Sequence, residues 1–272
     1  MTPTLRRTLK SAVVQALRPA VSGGPKRPND VKMSGFTFIE LIVIIAVLGI
    51  IATALTPAIV QRIMDTRIDT TREEERSLYE AMIGRSDQPG NFGFVGDLGR
   101  LPTSFTELVQ STGMPVYTTA TQGNVGMGWR GPYVNVGNSA ADYLTDAWGR
   151  AYTGASTGQV HSAGPDGTAG NSDDIVYPPS ALVITGRVIV TVKTMQGNKI
   201  VVDPSGYSVA LYYSNSGVQA TLTDAASTFV FDNVPMGLHR IQVIKISNGA
   251  IQAQETITSQ GKGVTTTVEE WF

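Results

Sequence analysis

The chain has 272 residues, a formal net charge of −1, 42% hydrophobic residues, no cysteine and two histidines, enough for one large domain or two modest ones with buried cores. The missing thiols exclude disulfides, cysteine nucleophiles and thiolate metal sites, and His161 and His239 are too far apart in sequence to suggest a His-rich zinc site. Charge is divided unevenly: residues 1–35 carry seven Lys or Arg against the single Asp30, a net of +6 that leaves −7 for the rest. An acidic body argues against nucleic acid as a partner, because phosphate recognition needs clustered cations on the folded surface.

In chain order, the first segment is the basic leader, with Arg6, Arg7, Lys10, Arg18, Lys26, Arg27 and Lys32. It lacks the long apolar core of a secretory signal. Residues 36–60, FTFIELIVIIAVLGIIATALTPAIV, follow as an apolar run of the length needed to span a bilayer. The positive-inside rule places residues 1–35 in the cytoplasm and the chain beyond about residue 60 outside. Within the run Glu40 is out of place, since a charge at membrane depth costs about 2.5 to 3.5 kcal/mol on insertion scales. Cleavage after Gly35 would supply a counter-charge, a free amine on Phe36 one helical turn before Glu40, in the same subunit or a neighbour. A charge so paired would set axial register between bundled helices.

The segment Gly35-Phe36-Thr37-Phe38-Ile39-Glu40 resembles the cleavage and methylation motif of type IV prepilins and pseudopilins. Counted from Phe36, Glu40 is fifth, Gly49 fourteenth and Pro57 twenty-second, where that family places Glu, Gly and Pro. The resemblance implies that a membrane prepilin peptidase cuts after Gly35 and methylates Phe36. It also implies that the helix, anchored in bacterial inner-membrane lipid, joins copies of itself and other pilin-like subunits on an inner-membrane assembly platform. Gly35 and Phe36 are then processing residues, and Glu40, Gly49 and Pro57 assembly residues. The bland reading is an ordinary single-pass anchor.

Helical patterning continues to about Gly84, with Val60, Met64, Ile68, Leu78 and Met82 at steps compatible with one face. Thr71 and Glu75 interrupt that stripe. Arg62 with Asp65, Asp69 with Arg72 and Glu73 with Arg76 are spaced for ion pairs. Residues 84–99 read as a loop, and Thr103 or Ser104 is placed to cap a short helix through Leu108. The runs GRLP (99–102), WRGPYV (129–134) and DAWGRAY (146–152) are similar to the globular domain of major pseudopilins of type II secretion, which implies a short helix, a small antiparallel sheet and a calcium-organised loop. Core packing is the expected role of Trp129, Tyr133, Trp148 and Tyr152.

The stretch SAGPDGTAGNSDDIVY, 162–177, gathers Asp166, Asn171, Asp173 and Asp174 among residues that forbid regular structure. Hard oxygen donors on such a loop suit calcium, which takes about six to eight of them. The acidic spacing is not that of an EF-hand. By resemblance to the pseudopilin loop, Asp166 and Asp174 are expected ligands, with Asp173 beside them. The competing reading is an Asp-rich turn closed by side-chain to backbone hydrogen bonds.

Pro178-Pro179 marks a boundary. Beyond it alternating segments (VITGRVIVTVKT, YSVALYY, VQATLT, STFVFDNV, LHRIQVIKIS, GVTTTVEEW) predict six to eight short strands in an antiparallel sandwich. Their order looks like the carboxypeptidase-regulatory or transthyretin-like fold, which implies structural roles for Asp224, Phe229, Phe231, Pro235 and Gly237.

The expected layout is α+β: a leader at 1–35, a helix at 36–85 spanning the membrane at about 38–60, a pseudopilin-like domain at 86–178 and a β-sandwich at 181–272. With no Gly-x-Ser-x-Gly or phosphate-loop pattern the chain reads as a non-enzyme. The function implied is a structural subunit of a type II secretion pseudopilus or type IV pilus-like filament, periplasmic or at the surface. The alternative is a minor pilin or adhesin whose sandwich binds a surface, glycan or protein, and counting copies per filament separates the two.

Overall fold

The computed structural model of the chain describes residues 35–272 apart from residues 86, 89, 135–142 and 226–227, so the basic leader lies outside the described residues up to Gly35. Residue contacts divide the chain into two units, Met1–Ala54 and Leu55–Phe272. Helix α1, Phe38–Ile83, has 46 residues and continues through Pro57. In the first unit the described part is the non-helical Gly35 to Thr37 and the start of α1, whose Ile39, Val43, Ile45 and Ile50 are exposed.

In the second unit α1 carries a stripe of Met64, Ile68, Thr71, Glu75, Leu78 and Met82, spaced by alternating steps of four and three. The two polar residues that seem to interrupt the stripe belong to it: Thr71 and Glu75 are as buried as Leu78 and Met82. The flanking charges pair otherwise than by three-residue spacing alone. Asp69 does meet Arg72 at 3.6 Å, but Arg76 turns to Glu80 and Asp65 accepts from Gln61. Against Leu78, Ala81 and Met82 pack Phe94 and Leu98 of α2 (Gly93–Leu98), Phe105 and Leu108 of a 3-10 turn, Tyr152, Ala155 and Val160. Trp129 and Tyr133 lean on this core half-buried, while Trp148 is half-buried. The expected cap at Thr103 is reversed in sense. Glu107 reaches back to accept from the Thr103 backbone N–H and hydroxyl, at 3.1 and 2.8 Å, and pairs with Arg100.

Strands β1 (Val160–Ser162) and β2 (Ile175–Tyr177) form an antiparallel hairpin around the Asp-rich loop. The remaining strands are β3 (Thr185–Gln196), β4 (Lys199–Val202), β5 (Tyr207–Asn215), β6 (Val218–Asp224), β7 (Phe229–Pro235), β8 (Gly237–Lys245), β9 (Ala250–Ser259) and β10 (Thr265–Trp271). One sheet runs β10-β3-β4 with β7 also on β3; the other runs β6-β5-β8-β9. Both contribute to one core, Val188, Val190, Val192, Phe229, Phe231, Val234 and Val268 from the first and Val209, Leu211, Ile241, Val243 and Ile257 from the second. The expected all-antiparallel order fails in one place: β10 lies parallel to β3. The chain's last strand returns beside the first strand of this region, which only a long connection permits.

These β sheets and the helical core share the second unit. Ser214 Oγ donates to Asp97 O at 2.8 Å and the Gly217 N–H to Leu98 O at 3.0 Å. Gly99, with φ of 71°, lies so close that a Cβ there would stand 1.8 Å from Ser214 O. Beyond the two prolines, the Leu182 N–H donates to Thr157 O at 3.0 Å.

Candidate functional site

Two places carry chemistry that packing does not explain, and the first is the start of α1. Among the described residues α1 is the one helix long and apolar enough to cross a membrane, and none of the apolar stretch is buried within the protein. At its N-terminus Thr37 and Glu40 cap the helix reciprocally. Glu40 Oε2 accepts from the Thr37 backbone N–H and from its hydroxyl, both at 2.9 Å, and the Glu40 N–H donates to Thr37 Oγ1 at 3.3 Å. This capping box satisfies two amides that a helix start leaves unpaired. The spacing Thr-x-x-Glu was its signal in the sequence, hidden because the carboxylate had another explanation in the nearby amine. Among the described residues Glu40 thus has a neutral partner, Thr37, and no cation among its hydrogen-bond partners.

Phe36 is 78% exposed, and a Cβ placed on Gly35 or Gly49 would meet nothing within 4 Å. A glycine in mid-helix costs roughly 0.5 to 1 kcal/mol relative to alanine, and among the described residues no close approach calls for one at Gly49.

The second place is the loop between β1 and β2. Asp166 accepts from the Thr168 N–H at 2.7 Å and from Asn171 Nδ2 at 2.8 Å; Asp173 accepts from the Asp166 N–H at 3.1 Å. Asp174 Oδ2 takes the Gly170 N–H at 2.6 Å and lies 2.9 Å from His161 Nε2. The Gly170 amide, and after it His161, hold the Asp174 carboxyl below the usual carboxylate range. Arg150 donates to the carbonyls of Gly164 and Pro165. The loop is therefore closed by its own hydrogen bonds and by the side chains of Arg150 and His161, neither of which the sequence connects to it. Nothing in the spacing pointed to either.

The fit to calcium is partial. Among the described residues no three His, Asp or Glu side chains gather as a metal-holding group. Asp166 and Asp173 would have to exchange their present donors for an ion. Asp174 Oδ1, however, is buried without a hydrogen-bond partner, an acceptor that the loop's own donors leave open.

His239 is buried; its Nε2–H donates to Pro235 O at 2.7 Å, and burial lowers its pKa to about 4. No family model matches the chain, and no curated protein matches it.

Proposed function

We propose that the chain is a structural subunit of a type IV pilin-like or type II secretion pseudopilus-like filament, cut after Gly35 and assembled through α1. One observation carries this reading. The exposed apolar stretch of α1 bears one carboxylate, Glu40, a turn from a Gly-Phe bond, and its hydrogen-bond partner among the described residues is the neutral Thr37. In lipid such a carboxylate gains most from a cation at the same depth, and a new Phe36 amine is the nearest one that chemistry can make. The glycine at 49 supports close approach of another helix, since none of the described residues packs against it.

Gly35→Leu should leave the protein at precursor mobility on electrophoresis, while the unaltered protein runs shorter and its terminal sequence begins at Phe36. Normal maturation of the variant, or a native start at another residue, removes this reading.

The minor-subunit or adhesin reading has its own support. On the outer face of the β10-β3-β4 sheet, Met195, Ile200, Val202 and Trp271 are between 53% and 64% exposed, a grouping that soluble surfaces rarely leave uncovered.

Calcium is proposed for the β1–β2 loop on the strength of Asp174 Oδ1, with Asp166 and Asp173 as the further carboxylates. Adding EGTA should lower the melting temperature of the full chain in detergent, and calcium should restore it. An unchanged temperature eliminates the ion.

A further inference from the structure

The stripe of α1 that faces the body holds two polar residues with almost no solvent exposure, Thr71 at 0% and Glu75 at 1%. Their partners come from two segments. The Ala147 N–H donates to Thr71 Oγ1 at 3.3 Å, and the Ser162 backbone amide lies against the Glu75 carboxyl. Ser162 Oγ in turn donates to Asp146 Oδ2 at 2.6 Å, and Asp146 Oδ1 accepts from the backbone N–H groups of Trp148 and Arg150. Tyr152 adds a bond from its hydroxyl to Glu74 at 2.7 Å. Helix, turn 145–150 and β1 are thus joined by one buried polar seam.

Glu75 is the weak member of that seam. Its Oε1 is buried with no hydrogen-bond partner. The groups around it are Arg72, Glu73, Glu74 and Arg76 from its own helix, of which Arg76 is paired with Glu80 at 3.1 Å, together with Asp146 from the turn, Tyr152 beyond the turn and the Ser162 amide from β1. Arg72 is exposed and already 3.6 Å from Asp69; Asp146 is a second buried carboxylate. On the β2 side, Tyr177 stacks edge-on against Tyr79 and brings no charge. An ionised Glu75 would therefore stand desolvated beside a like charge. A groove of about 380 Å³, lined by Arg72, Glu75, Arg76 and Ile175 to Tyr177, borders it and gives protons a route to solvent.

We propose that Glu75, Thr71, Asp146 and Ser162 form a proton-controlled latch, closed on the body while Glu75 is neutral and opened at the 145–150 turn and β1 when it ionises. This inference stands apart from the filament reading. Burial, chiefly, pushes the Glu75 carboxyl up to about 8, against the Ser162 amide and Arg72 and with the help of Asp146. The latch consequently responds just above neutral pH.

Hydrogen exchange on the full chain in detergent micelles at pH 6, 7.5 and 9, corrected for intrinsic base catalysis, tests it. The Ala147 and Ser162 amides should lose protection above pH 8, roughly tenfold per pH unit, while the β8 amides stay constant and Glu75→Gln stays protected throughout. Equal loss in β8, loss that persists in Glu75→Gln, or no loss in the unaltered chain overturns the latch. Should Glu75→Gln fail to fold, the infrared carboxyl band of the unaltered chain decides: a buried neutral carboxyl at pH 7 that disappears by pH 9 supports it, and its absence at pH 7 refutes it.

Discussion

If the chain is cut and assembled as proposed, Glu40→Ala should give a protein that is processed and inserted in the membrane yet yields at least about tenfold less filament than the unaltered chain. Removing a charge makes insertion easier, by less than the roughly 2.5 to 3.5 kcal/mol that a charge costs at a helix centre, since Glu40 lies in the first turn. Loss of the cap on Thr37 works the other way, but a helix cap is worth only about 1 kcal/mol. Neither effect blocks entry into the bilayer. Assembly is different, because a pairing between Glu40 and an amine at the same depth acts only when subunits meet, and about 1.4 kcal/mol per contact already changes an equilibrium tenfold. Glu40→Gln separates the two roles that the geometry gives this residue. An amide oxygen still accepts from Thr37, so the cap survives while the charge is gone. If Glu40→Gln fails as Glu40→Ala does, charge is the operative property. If both assemble at the normal level, Glu40 is a helix cap and nothing more.

What the sequence shows of this architecture follows from where side-chain chemistry repeats at a fixed period. The apolar run and the helix to Ile83 are plain because about twenty apolar residues have few other uses. Strands such as β3 and β5 are plain for a similar reason, since buried Val188, Val190 and Val192 alternate with outward residues. Strand β9 escaped notice because its sequence, AIQAQETITS, is mostly polar or small, and of its residues only Ile257 and Ser259 are buried. Strand β4 is four residues long with little burial. Parallel pairing of β10 with β3 leaves no local trace, because it joins segments separated by most of the β region. The buried seam was misread for a different reason. Thr71 and Glu75 look like breaks in a hydrophobic stripe, and only tertiary partners such as Ala147 and Ser162 make a polar residue an interior one. In the same way the acidic loop announced its carboxylates but not Arg150, which reaches it from fourteen residues away.

The pH dependence of stability should be shaped by two buried groups that pull in opposite directions. Unfolded, His239 takes a proton below about 6.5; folded, at 2% exposure and with its Nε2–H committed to Pro235, it resists until about 4. Its contribution is present above pH 6.5 and is lost as pH falls to 4, about 3 kcal/mol in all. Glu75 has the reverse sense. The unfolded chain releases its proton near 4.5 and the folded chain holds it to about 8, so stability falls as pH rises between those values, by about 5 kcal/mol. Between pH 4.5 and 6.5 the two slopes cancel. Above 6.5 only Glu75 remains, and the full chain in detergent should lose stability up to pH 8. Replacing Glu75 by Gln removes that term: the variant's melting temperature should climb from pH 4.5 to 6.5, where the unaltered chain is level, and then hold steady to pH 8. Parallel profiles for the two proteins would mean that Glu75 is already ionised in the fold, and the buried seam would need another source of its stability.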